Sequence, residues 1–226
     1  MAAAKPIFMP EIFRFFQDLK KHNKKAWMDA NRERYKETVT KPFRRLLEEL
    51  SPSLLKLNTN FDVAARNGTN FSRINRDIRF AKDKTPYRAQ MYVKFGVPLA
   101  GEMESGELYL GISAESVTAG FRIYAVPKRK LSPIALVAEP KLAANPKVLA
   151  QYKKRLRKKY DSYWYSTVKG EWTKNAGWPG IEDWSKLQAW IVRKKLRKSD
   201  ATRASLPADA AKIFREVYPL LEFTSL

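Results

Sequence analysis

The chain has 226 residues, 44% apolar and 12% aromatic, which is enough to bury a core and excludes wholesale disorder. It has no cysteine and a single histidine, His22, so disulfides, zinc–thiolate sites, thiol catalysis and multi-histidine metal sites are excluded. Its net charge of +21 is uneven: residues 1–100 carry 21 Lys/Arg against 10 Asp/Glu, residues 101–145 carry 5 against 5, and residues 146–226 carry 18 against 8. Two basic flanks around a neutral middle gather anionic partners, nucleic acid among them, without conferring specificity.

At the start, "MAAAKPIFMPEIFRFF" lacks the apolar run of a signal peptide, because Lys5, Pro6, Pro10, Glu11 and Arg14 interrupt it. No segment approaches the ~18 apolar residues of a spanning helix. The expectation is a soluble cytoplasmic protein with no membrane insertion. Ile12, Phe15, Phe16 and Leu19 recur at helical spacing and predict a first helix, with His22 near its end. A second helix is expected over 24–39, where Trp27, Asn31, Tyr35 and Val39 share a face. Pro42 suggests a break or kink near Thr40; Phe43, Leu46, Leu47, Leu50 and Leu54 carry the apolar stripe onward, with a further helix to about Leu50.

The period then changes. "MYVKFGV" (91–97), "ELYLGIS" (107–113) and "SVTAGFRIY" (116–124) read as an antiparallel meander, the first two joined by the polar loop "PLAGEMESG". "FDVAA" (61–65) is a candidate edge strand. The last third returns to helix: one from the Ser–Pro pair at 132–133, one from Pro146 to about Tyr160, and one from Pro207 to Pro219. "KKRLRKK" (153–159) would spread its cations around a helix as a solvated face. "YDSYWYSTVKGEWTKNAGWPG" (160–180), with Lys169 and Lys174 among its aromatics, reads as core packing, with base stacking as the alternative. In "WIVRKKLRK" (190–198), Trp190, Ile191 and Leu196 would pack under a cationic exterior. The fold class is α+β: N-terminal helices, a central antiparallel β-meander and C-terminal helices. One domain is expected, possibly with a helical subdomain from about residue 141.

The densest chemistry lies in "NFSRINRDIRFAKDKTPYRAQ" (70–90). Arg73, Arg76, Arg79, Lys82, Lys84 and Arg88 fall within sixteen residues, opposed by Asp77 and Asp83. Arginine forks suit phosphate or carboxylate, and lysine adds a mobile charge. Arg73, Arg76, Arg79, Lys82, Lys84 and Tyr87 are therefore candidate ligand-binding residues. Asp77 and Asp83 could orient the cations, act as a general base, or hold Mg²⁺. Pro86 makes "DKTPY" a turn into the following strand. The same residues could instead form a salt-bridged brace, with Phe80 in the core. No P-loop, G-x-G-x-x-G or G-x-S-x-G motif occurs, and no cofactor follows from the sequence.

Asn23, Trp27, Tyr35 and Pro42, followed by Arg73, Arg76, Asp77, Arg79, Phe80 and Lys82 to Tyr87, resemble the motif of the family termed domain of unknown function 2461. The resemblance runs over about residues 12–124, with departures at His22, Met28 and Ala81, and is weak from about Lys141. It implies where a site lies and implies no activity. The residues leave four readings: a pocket for an anionic small molecule, a nucleic-acid-binding protein using the basic flanks, a hydrolase or transferase acting on a phosphorylated substrate, or an interaction module.

Overall fold

The computed structural model describes residues 5–97, 106–124, 133–168 and 171–225. Helix α1 (Glu11–Lys21) buries Ile12, Phe13, Phe15, Phe16 and Leu19, the apolar stripe expected of it, and ends at His22. Short helices α2 (Lys25–Ala30) and α3 (Arg32–Tyr35) follow. Arg34 ties this region back to α1 through Glu11 (2.6 Å) and Asp18 (2.9 Å).

The break or kink expected near Thr40 is a local widening of a continuous helix. Residues Lys36–Thr40 form one π-helical turn that runs directly into α4 (Lys41–Leu57). The wider turn lets the Lys41 N–H reach the Lys36 carbonyl, and it lies directly before Pro42, whose missing N–H interrupts the α-helical ladder. Helix α4 also continues past Leu50, through Pro52, because Leu54 extends its buried face.

Strands β1 (Gln90–Gly96), β2 (Glu107–Ser113) and β3 (Val117–Tyr124) form the predicted meander. The loop expected between β1 and β2 lies almost wholly outside the described residues, as do Ser132 of the Ser–Pro pair and Lys169. Residues 61–65 are not a strand. Their only described backbone bond to a strand runs from the Asp62 N–H to the Gly96 carbonyl (3.5 Å), while the Phe61 N–H closes a turn onto the Asn58 carbonyl (3.2 Å).

Helices α5 (Pro133–Ala144) and α6 (Val148–Leu156) come next, the latter ending a turn before Tyr160. Three further strands then occupy a region that the sequence reads as irregular core within a candidate helical subdomain. They are β4 (Asp161–Val168), β5 (Glu171–Ala176) and β6 (Leu187–Leu196), with a 3₁₀ turn at Ile181–Lys186 before β6. The six strands form one antiparallel sheet in the order β1-β2-β3-β6-β4-β5. The fold class is α+β.

After the short α7 (Lys198–Ala201), α8 (Leu206–Thr224) passes straight through Pro219, where a stop was expected. An interior proline costs a helix about 3 kcal/mol. Here Val217 on one side and Leu220, Leu221 and Phe223 on the other are all buried, and that burial outweighs the loss.

Alternation gives the sheet two different faces. Met91, Val93 and Phe95 in β1, Leu108, Leu110 and Ile112 in β2, and Val117, Ala119, Phe121 and Ile123 in β3 are buried on one side. Helix α8 covers that side, with Phe214 meeting Phe95 at 5.7 Å between ring centres. Tyr92, Lys94, Glu107, Tyr109, Arg122 and Tyr124 point the other way. Among the described residues, no helix is long and apolar enough to cross a membrane.

Candidate functional site

The cationic motif folds as an irregular hairpin on the outer edge of β1. Asn70, 1% exposed, anchors its start: its amide donates to the Asp62 carbonyl (2.6 Å) and its Oδ1 accepts from the Arg66 N–H (3.0 Å). Residues 70–72 then run along β1. The Ser72 N–H donates to the Tyr92 carbonyl (3.0 Å) and the Lys94 N–H to the Asn70 carbonyl (2.7 Å), which covers an otherwise open sheet edge. The chain turns back on itself as the Arg76 N–H donates to the Pro86 carbonyl and the Arg88 N–H to the Ile74 carbonyl, both at 2.8 Å. The motif is thus two short extended arms and a tip.

Between this hairpin and the open face of β1–β3 lies a cleft of about 1200 Å³. Arg73, Arg76, Asp77, Arg79 and Arg88 line it from the hairpin, and Tyr92, Lys94, Glu107, Arg122 and Tyr124 line it from the sheet. Among the described residues, six cations therefore face two carboxylates. Among the described residues the guanidiniums of Arg73 and Arg88 meet no hydrogen-bond or ion-pair partner, and both residues are exposed.

The floor is built differently. Arg122 Nε donates to Glu107 at 2.6 Å, and Lys94 Nζ lies 3.4 Å from the other oxygen of the same carboxylate. The Arg122 guanidinium also sits 4.7 Å from the ring centres of both Tyr92 and Tyr109, and 5.9 Å from Tyr124. Burial opposes the charge on Arg122, and Glu107 more than restores it, so its pKa stays above the ordinary arginine value. Burial likewise raises the hydroxyl pKa values of Tyr109 and Tyr124. Tyr92 can lie flat on the sheet because its cross-strand partner is Gly111, where a side chain would run into the Tyr92 ring.

The sequence-predicted residues divide between two sides of the hairpin. Arg73, Arg76, Arg79 and Asp77 line the main cleft. Arg76 also reaches across the hairpin to Asp83 and to the Thr85 hydroxyl and carbonyl. Arg79 pairs with Asp77 (2.7 Å), both exposed. Asp83 lines a separate recess of about 350 Å³ with Lys20 and Glu115, so the two aspartates do not share a cleft. Lys82 is exposed at the tip, and Lys84 folds back onto the carbonyls of Ile78 (3.0 Å) and Arg79 (3.3 Å). Tyr87 packs in the core at 6% exposure, its backbone clasped by the Asn23 side chain in two bonds (2.8 and 3.0 Å). Phe80 is not core: it stands 94% exposed at the tip, with Arg79 over its ring at 5.9 Å. Among the described residues no group of three or more His, Asp or Glu side chains is placed to hold a metal ion.

Sequence reasoning missed Lys94, Glu107 and Arg122. The signal available was strand alternation, since each is charged and lies one position over from a buried apolar residue in a β-rich run.

The Asp83 carboxyl is held at about 2, because it accepts the Thr85 N–H (2.9 Å), the Arg76 guanidinium and the Thr85 hydroxyl (3.0 Å). An unfolded aspartate titrates near ~3.9. A depressed value means that this clasp is fully present above about pH 4 and is lost as pH falls toward about 2. The Thr85 amide resonance should accordingly titrate with a midpoint near 2, and a midpoint near 4 would show that the clasp does not form.

The family model described as "Conserved hypothetical protein (DUF2461)" matches residues 11–223, continuing through the C-terminal third where the motif resemblance fades. No curated protein matches the chain. With nearly the whole chain covered, including the hairpin, the sheet and the last helix, this protein belongs to the DUF2461 family.

Proposed function

We propose that the cleft binds a small anionic ligand bearing a phosphate, taken up by the guanidiniums of Arg73 and Arg88. The observation that carries this reading is a pair of exposed arginines with no partner among the described residues, on the wall of a cleft where six described cations meet two described carboxylates. An arginine fork supplies two parallel donors to a phosphate, and several forks on one wall fix its orientation. Arg122, held by Glu107 and the tyrosine rings, supplies a positive floor that does not reorganise on binding. Arg76, already satisfied by Asp83 and Thr85, serves as the brace that keeps the hairpin open.

The test is a thermal-shift series with inorganic phosphate, mononucleotides and carboxylates on the wild type and on Arg73→Ala/Arg88→Ala. A hydrogen bond to a charged group contributes about 1.5–3 kcal/mol, so losing each fork should weaken a phosphate ligand by roughly tenfold or more. Both residues are exposed and unpaired, so the variant's own melting temperature should stay within about 2 °C of wild type. The reading fails if no ligand stabilises the wild type more than the variant.

A further inference from the structure

The same open face continues beyond the cleft. Across β3, β6, β4 and β5, the register sets Tyr124 beside Ala189, Ala189 beside Tyr165, and Tyr165 beside Lys174. One row over, Arg122 faces Ile191 and Ile191 faces Tyr163. Ala189 thus separates Tyr124 from Tyr165 in the first row, and in the second the buried Ile191 lies between Arg122 and Tyr163. Tyr163 carries cations on its ring, with Lys174 Nζ at 4.2 Å and the Arg193 guanidinium at 5.0 Å. At the far edge, on β5, Trp172 is 43% exposed and lies 5.7 Å from Tyr165. At the near edge, the hairpin on β1 presents Phe80, 94% exposed. Six strands at ~4.8 Å spacing give a face about 24 Å across, far wider than one phosphate needs.

Resting on the reading of the cleft as a phosphate site, we infer that this sheet face is a platform for single-stranded nucleic acid. Bases stack on the exposed aromatics and phosphates follow the cations. Interleaved aromatic and cationic side chains on an open sheet are what an unpaired strand requires, because every base has a face to stack and every nucleotide a charge to neutralise. A duplex hides its base faces and cannot use Trp172 or Phe80. A mononucleotide would fill the cleft and leave the β4–β5 half of the face unused.

The test compares a fluorescent dT12 strand, the corresponding 12-base-pair duplex and thymidine monophosphate, on the full chain. Trp172→Ala/Lys174→Ala changes two exposed residues on an edge strand outside the cleft, and its circular dichroism and melting curve verify that it folds. Wild type should bind dT12 more tightly than the duplex or the monophosphate. Engagement of about three phosphates should give a log–log salt slope near −2. The Trp172/Lys174 variant should lose about tenfold for dT12 and keep its affinity for the monophosphate, whereas Arg73→Ala/Arg88→Ala should weaken both. Monophosphate binding with no tighter binding of dT12 overturns the platform and leaves the cleft. Equal affinity for the duplex, or dT12 binding indifferent to Trp172 and Lys174, also overturns the platform. Absence of binding to all three overturns both.

Discussion

Replacing Glu107 with Gln should destabilise the fold by about 3 kcal/mol and at the same time strengthen anion binding in the cleft. Glu107 is 21% exposed and serves two cations, Arg122 at 2.6 Å and Lys94 at 3.4 Å. Arg122 is only 13% exposed and is enclosed by Tyr92 and Tyr109, so it cannot turn to water when its counter-ion goes. Removing one member of a buried pair costs ~3–5 kcal/mol, and the partial exposure here places the loss at the lower end. Glutamine keeps the shape and one acceptor, so the loss reports charge and not packing. For a chain of this size the melting temperature should fall by about 6–12 °C. Glu107→Gln/Arg122→Met, which removes both charges, should recover most of that. Phosphate should stabilise Glu107→Gln more than wild type, because the cleft has lost one of its two carboxylates. A melting temperature unchanged from wild type would show that Arg122 is solvated and that the floor is not preorganised.

A second large effect is expected at Gly120. It pairs with Arg193 across the β3–β6 junction, and an added Cβ would overlap the Val192 carbonyl oxygen and come within 2.7 Å of the Arg193 Cα. Both obstacles are backbone, so no side-chain rotation relieves them. Overpacking a core typically costs ~1–3 kcal/mol, and a clash with the backbone of a central strand belongs at or above the upper end. Gly120→Ala should therefore lower stability by about 3 kcal/mol or more in urea unfolding. Amide exchange should accelerate first in β3 and β6, the pair that joins the meander to the C-terminal strands. A loss below about 0.5 kcal/mol would mean that the two strands do not approach this closely.

Parts of this arrangement were legible in the chain. The meander was readable because β1, β2 and β3 are dense in β-formers and separated by loops. The hairpin was readable as a charge cluster, but not as a backbone shape, because Arg73, Arg76 and Arg79 at three-residue spacing fit neither helix nor strand cleanly. Strand β6 went unassigned because Ala189, Trp190, Ile191 and Val192 are all buried, and a short continuous apolar run has no period to distinguish strand from helix. Phe80, which the alternative brace reading placed in the core, instead stands exposed at the hairpin tip.

The sequence by itself determined the α+β class, the helical stripes of α1 and α4, the meander and the place where arginines gather, because each is set by neighbours a few residues apart. The tertiary structure alone decided that Glu107 would neutralise Arg122, that Arg76 would be consumed as a brace while Arg73 and Arg88 find no partner among the described residues, and that tyrosines from four strands would share one open face. Those outcomes depend on register between residues up to about eighty positions apart, as for Val117 and Leu196. Register is fixed only when α8 buries one face of the sheet and so commits every alternate side chain to the other.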